Sequence, residues 1–131
     1  MAARHRGGSM KIRTIIVDND PGLLEKLRDI LREHPKIELL GCFEHPVKAL
    51  EYAREQPVEL VFSDVVMPEI SGITLASRLS SLPDPPAVIL MSDIPGLSMK
   101  TWKIHAMGFM AKPYTRREVW GMIEAYEGRS C

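Results

Sequence analysis

Cysteine is nearly absent from this sequence: Cys42 and Cys131 are the only two, and they stand at no metal-ligand spacing. Such sparse thiols point to a reduced, cytoplasmic compartment rather than a disulfide-stapled scaffold. The burial habit of free cysteine predicts Cys42 packed at a strand end. The four histidines, His5, His34, His45 and His105, are scattered and form neither H-E-x-x-H nor H-x-x-E-H, so a metallohydrolase has no support. No G-x-x-x-x-G-K-[ST] and no G-x-G-x-x-G occurs, and with them goes any nucleotide-cradling loop. No run approaches the ~18 consecutive apolar residues that a membrane span needs. An excess of basic charge is missing too: the formal net charge is +0. That argues against direct nucleic-acid binding by this chain and against a polyanionic tail.

What is present suits one domain. The 131 residues are 45% hydrophobic and 26% charged, ample for a core and ordinary in charge. Residues 1–10 lack the apolar centre of a signal peptide and read as a disordered leader, with Met10 as a plausible start. Without Arg4 and Arg6 the remainder is slightly acidic. The domain is expected over residues 11–128, with a frayed tail at 129–131.

The stretch that organises the chain is Leu60-Val61-Phe62-Ser63-Asp64-Val65-Val66-Met67-Pro68-Glu69-Ile70-Ser71-Gly72. An apolar run of strand length ends at a carboxylate, and a Met-Pro turn leads to a new helical pattern. Around it the pattern repeats. Ile12 to Val17 is a β-branched run ending in Asp18-Asn19-Asp20, and Pro21 suits a first helical position with Asp20 as N-cap. Leu23, Leu24, Leu27, Ile30 and Leu31 form a one-sided stripe that His34-Pro35 stops. Ile37 to Phe43 is a second strand, and a helix from Pro46 carries Val47, Leu50 and Ala53 as far as Pro57. Val58 to Ser63 is the third strand, followed by a helix with Ile73, Ala76 and Leu79. Ala87 to Met91 is the fourth strand, ending in Ser92-Asp93. A short or irregular helix is expected from about Leu97. Gly108 to Ala111 is the fifth strand, and the capping box Thr115-Arg116-Arg117-Glu118 opens a last helix with Val119, Ile123 and Tyr126 on one face. Near-continuous apolar strands alternating with helices predict an α/β fold: a five-stranded parallel sheet, doubly wound in the flavodoxin-like manner.

A parallel sheet puts all its strand ends of one kind on one edge. Here that edge collects Asp18, Asn19 and Asp20, then Asp64, Ser92 and Lys112. Adjacent carboxylates raise one another's pKa unless a cation offsets them, and a hard divalent ion such as Mg2+ or the Lys112 ammonium would do so. A carboxylate nucleophile, a metal, a lysine point charge and a hydroxyl together suit phosphoryl transfer.

Four blocks in order, Val17-Asp18-Asn19-Asp20-Pro21, Asp64-Val65-Val66-Met67-Pro68-x-x-x-Gly72, Ser92, and Phe109-Met110-Ala111-Lys112-Pro113, make the chain resemble a CheY-like response-regulator receiver domain of two-component signalling over Lys11 to Glu127. The stretch Gly41 to Gly72 is most similar to receivers attached to LytTR-type DNA-binding domains. The resemblance implies that Asp64 accepts phosphoryl from a histidine kinase. It implies that Asp18, the next position (Asn19), Asp64 and the Val66 backbone carbonyl hold Mg2+. Ser92 would turn its hydroxyl, and Lys112 its ammonium, toward the phosphoryl group, and Phe109 would be an aromatic switch. Lys112–Pro113 is expected to be cis, which proline permits. The helical segments bearing Trp102 and Trp120 would serve a homodimer or an output domain, although either ring could instead pack on its own domain. In this reading the domain is a signalling phosphoacceptor and not an enzyme acting on an external substrate.

Two residues depart from the pattern. Asn19 occupies a position usually held by a second acid, so weaker Mg2+ binding is expected. Asp93 follows Ser92 where a small residue is common; it either adds negative charge at the mouth of the site or caps the next segment. These departures motivate an alternative, a receiver-like module that is not phosphorylated and acts by protein–protein binding. A haloacid-dehalogenase-type phosphatase would need a second acid two residues past Asp64, where Val66 stands.

Overall fold

Ile12–Val17, buried except for a half-buried Arg13, forms β1, and every later strand lies parallel to its neighbours. The computed structural model describes residues 11–94 and 105–129. The elements after β1 are α1 (Pro21–Arg32), β2 (Ile37–Phe43), α2 (Pro46–Glu55), β3 (Leu60–Asp64), α3 (Gly72–Leu79), β4 (Ala87–Ser92), β5 (Gly108–Ala111) and α4 (Arg116–Gly128). The expected leader, the helix from about Leu97, Trp102 and Cys131 lie outside the described residues.

The strand order is β2-β1-β3-β4-β5, the doubly wound flavodoxin-like arrangement. Alternating side chains feed two core layers. Ile12, Ile16, Phe62, Ile89, Met91 and Met110 pack under α1 and α4, with Leu24, Leu27, Leu31, Val119 and Ile123 from those helices. Ile15, Val17, Val61, Val88 and Leu90 pack under α2 and α3, with Leu50, Leu75 and Leu79. Caps fix where the helices begin. Asp20 accepts hydrogen bonds from the Gly22 and Leu23 N–H groups, with Pro21 opening α1. Thr115 and Glu118 form the reciprocal capping box at α4.

Three expectations need correction. The third strand runs from Leu60 to Asp64 and not from Val58 to Ser63: its pairing with β1 starts at Leu60 opposite Thr14, while Glu59 ahead of it donates to the Arg13 carbonyl at 2.8 Å and accepts the Arg13 N–H with its side chain at 2.9 Å. Burial on both faces holds for the central strands, whereas β2, an edge strand, is mostly half-buried. Cys42 is accordingly exposed, not packed. It pairs with Ile16 on the outermost strand, past a register shift between Thr14 and Ile15. Among the described residues, no helix is long and apolar enough to cross a membrane.

Candidate carboxylate–lysine site

The strand order reverses between β1 and β3, and in open α/β sheets ligands bind beyond the strand ends at that point. Asp18 follows β1 and Asp64 ends β3, so both carboxylates stand at this crevice. Asp18 is fully buried and Asp64 is 8% exposed. Lys112, just past β5, places its Nζ 3.1 Å from Asp18 Oδ2 and 3.1 Å from Asp64 Oδ1. One ammonium thus bridges the two acids.

Among the described residues, every other hydrogen bond to the two carboxylates comes from backbone. Asp18 Oδ1 accepts the Asp20 N–H at 2.9 Å, and Asp64 Oδ1 accepts the Val65 N–H at 2.9 Å. No described residue hydrogen-bonds Asp64 Oδ2. The chain leaves Asp64 through a tight loop: the Val65 N–H donates to the Met91 carbonyl, and the Gly72 N–H returns to the Val65 carbonyl. A Cβ on Gly72 would fall 2.0 Å from the Asp64 carbonyl oxygen, so only glycine lets α3 begin there. Glu69, in the same loop, has a φ of 72°, the left-handed region.

Burial raises the Asp64 pKa, and the neighbouring Asp18 charge raises it further; the Lys112 ammonium and the Val65 N–H oppose both. Burial alone would lower Lys112, but its bonds to Asp18 and Asp64 outweigh that and hold it above its ordinary value. The ammonium therefore stays charged while Asp64 ionises late for an aspartate.

The remaining sequence-derived residues fall around this core. Asn19, Val66 and Asp93 line the same cleft as Asp64 and Lys112. Whether Asp93 also caps the next segment falls on residues outside those described. Val66 is 59% exposed there. Ser92 is buried at the end of β4, and its Oγ accepts the Ile94 N–H at 2.9 Å. That bond uses an oxygen lone pair and leaves the O–H able to donate. Phe109, on β5 beside Leu90, is half-buried against the α2–α3 layer. Lys112–Pro113 is cis. Trp120 is half-buried against its own domain: its Nε1–H donates to the Ile30 carbonyl at 3.3 Å, its ring meets His34 at 4.6 Å, and Arg116 lies over it at 4.4 Å. Sequence reasoning missed Tyr114, buried two residues past Lys112, whose hydroxyl pKa is pushed up to about 12 by burial and by the Asp18, Asp64 and Asp20 charges.

Among the described residues no group of three or more His, Cys, Asp or Glu side chains is arrayed for a metal. The residues at the cleft can nonetheless offer oxygen: Asp64 Oδ2, which has no hydrogen-bond partner among the described residues, and the carbonyl groups of Asn19 and Val66, with the Asp18 charge behind them. That set fits a hard cation that keeps several of its own waters.

The family model for the response regulator receiver domain matches residues 14–124. The chain is similar to the transcriptional regulatory protein YpdB of Escherichia coli strain K12, 22% identical over 88% of this chain and 48% of that protein. It is also similar to the sensory transduction protein LytT of Enterococcus faecalis, 24% identical over 86% of this chain and 47% of that protein, in keeping with the LytTR-type resemblance. It spans about half the length of these relatives. Among solved structures, the signal receiver domain of the putative response regulator NarL from Mycobacterium tuberculosis superposes with a TM-score of 0.80 at 26% identity, over 90% of this chain and 98% of that one. With four blocks of its sequence, its strand order and this match in agreement, the chain belongs to the response regulator receiver domain family.

Proposed function

We propose that Asp64 is the phosphoacceptor of this receiver domain and takes its phosphoryl group from the phosphohistidine of a histidine kinase. The observation that carries the reading is the Lys112 ammonium set between Asp18 and Asp64, with Asp64 Oδ2 left without a partner among the described residues. In the transfer, an Asp64 carboxylate oxygen attacks phosphorus, the O–P bond forms, and the N–P bond breaks. The departing imidazole nitrogen keeps the electron pair and takes a proton. The Lys112 ammonium then pairs with the phosphoryl oxygens, and Ser92, at the end of the neighbouring strand β4, would turn its O–H toward them. Receiver domains generally bind Mg2+; here Asp18, Asn19, Asp64 and the Val66 carbonyl would hold it. Bound there, it would supply neutralising charge for the incoming phosphoryl. Asn19 supplies no charge, so this site holds the ion less firmly than a pair of acids would.

Receiver domains engage histidine kinases and output domains. In this reading the chain turns over no external metabolite and catalyses only its own phosphorylation and dephosphorylation. A contact with an output domain or a second copy over the last two helical segments rests on the part of Trp120 left exposed beside Arg116. Phe109 is proposed as the residue whose packing reports the state of Ser92. The unphosphorylated-module reading is not favoured, since the phosphoacceptor role is standard for the family.

Incubation with phosphoramidate and Mg2+ followed by intact-mass measurement tests the proposal. One phosphoryl adduct is expected. Its absence at saturating Mg2+ would refute the phosphoacceptor reading.

A further inference from the structure

Lys112 is held from behind as well as from in front. Two residues on, the Tyr114 ring is buried in the layer beneath α1 and α4. Its carbonyl oxygen accepts a hydrogen bond from Lys26 Nζ at 3.1 Å, and the same ammonium lies 4.9 Å from the centre of the Tyr114 ring. The Tyr114 hydroxyl makes a long 3.5 Å bond to the Leu23 carbonyl, one turn earlier on α1. That turn is itself tied to the site. The Leu23 and Gly22 N–H groups donate to Asp20 Oδ1, and the Asp20 N–H donates to Asp18 Oδ1. The path closes through Lys112 Nζ and Asp18 Oδ2. A single ring of bonds therefore runs from Asp18 through the start of α1, Tyr114 and Lys112 back to Asp18.

A lysine on the outer face of a helix is ordinarily left to solvent, its long side chain free to move. Lys26, exposed overall, nonetheless spends its ammonium on one carbonyl and one ring, both belonging to Tyr114, two residues past Lys112. Its carbonyl bond and its place over the Tyr114 ring act in the same direction, pulling that segment toward α1. A shift of about 1 Å in a charged group at a phosphoryl-transfer site is enough to slow the chemistry up to ~100-fold.

We infer that Lys26 is a positioning residue for Lys112: by holding Tyr114 to α1, it fixes the Lys112 ammonium between Asp18 and Asp64. The inference rests on the role proposed for Lys112 and adds the device that places it. Lys26 is tied to the ring through the Tyr114 carbonyl, so it can be changed without touching the acids or the ring's own side chains.

The test compares wild type with Lys26→Met, which keeps the stem and removes donor and charge, and with Lys26→Arg, which restores both. Acylation of Lys112 by N-hydroxysuccinimidyl acetate is followed by peptide mass spectrometry, and the phosphoramidate reaction is timed on the same samples. Lys26→Met should expose Lys112 to several-fold faster acylation and slow phosphorylation about tenfold, with Lys26→Arg close to wild type in both. Hydrogen exchange of the β3 amides separates local release from loosening of the whole fold. Unchanged β3 exchange is expected. Lys112 acylation that stays at the wild-type rate in Lys26→Met, that rises only in step with β3 exchange, or that Lys26→Arg fails to restore would overturn the inference. A wild-type protein that takes no phosphoryl group would sink the phosphoacceptor reading instead, and the acylation comparison would still decide the role of Lys26.

Discussion

The Lys112 ammonium stands 3.1 Å from Asp64 Oδ1, both side chains being only 11% exposed, yet the Asp64 pKa is still raised. Burial, joined by the repulsion of Asp18, outweighs that one cation. A carboxylate raised in the fold above its ordinary value of 3.8 favours its protonated form there. Its ionisation therefore costs the fold stability, and the loss sets in as pH rises from 3.8 through the folded value.

Asp64→Asn should for this reason melt at a higher temperature than wild type near pH 7. The gain should vanish towards pH 3.8, where wild-type Asp64 takes up its proton in the unfolded chain as well. Thermal melts across about pH 3.5 to 7 check the sign. An Asp64→Asn protein less stable than wild type at pH 7 would mean that the Lys112 attraction dominates after all.

Gly72 and Asp64 make a second pairing with a clear consequence. Because a Cβ at position 72 would meet the Asp64 carbonyl at 2.0 Å, backbone must move. Gly72→Ala should cost about 3 kcal/mol of stability by denaturant titration. It should also slow phosphorylation more than the stability loss explains, because the displaced atoms belong to the acceptor residue. A Gly72→Ala protein with wild-type stability would contradict this close approach.

His34 gives a separate pH response at the far end of α1. It is buried, its Nδ1 accepts the Lys36 N–H at 3.1 Å, and burial lowers its pKa despite the nearby Glu127 and Glu124 charges. A histidine held neutral stabilises the fold above about 6.5, and that contribution is lost as pH falls from 6.5 through the lowered folded value. His34→Asn keeps an acceptor for the Lys36 N–H without titrating. Its melting temperature should fall less steeply between pH 7 and pH 5 than that of wild type; an equal slope would place the acid sensitivity elsewhere.

At the cleft, Asn19→Asp restores a charged donor beside Asp64. Mg2+ should then bind about tenfold more tightly, followed by intrinsic tyrosine and tryptophan fluorescence. Without the ion the same variant should be less stable, since it adds a third negative group next to Asp18 and Asp64. Unchanged Mg2+ affinity would show that Asn19 is not a ligand.

The site was legible in the sequence to the extent that its residues sit at strand ends. Buried parallel strands are written as unbroken apolar runs, so the positions of Asp18, Asp64, Ser92 and Lys112 followed from where β1, β3, β4 and β5 stop. The Asp20 cap and the Thr115–Glu118 box were legible for the same kind of reason, being local rules of helix starts. What depends on residues far apart in the chain was not. Cys42 is exposed because β2 is an edge strand with a shifted register, which no local pattern reveals. Trp120 rests on His34 and Ile30 because of how α4 lies on α1. The bond from Lys26 to Tyr114 joins residues 88 positions apart. The left-handed backbone at Glu69 breaks the preference of its own residue type, so the sequence argued against it.

The most direct test of the account is to locate the phosphoryl group. After reaction with phosphoramidate and Mg2+, peptide mapping by mass spectrometry of wild type, Asp64→Asn and Asp18→Asn proteins should place the adduct on the peptide containing Asp64. It should vanish in Asp64→Asn and persist, formed more slowly, in Asp18→Asn. An adduct that survives Asp64→Asn, or that maps to Asp18 or Asp93, would contradict the assignment of Asp64 as the acceptor.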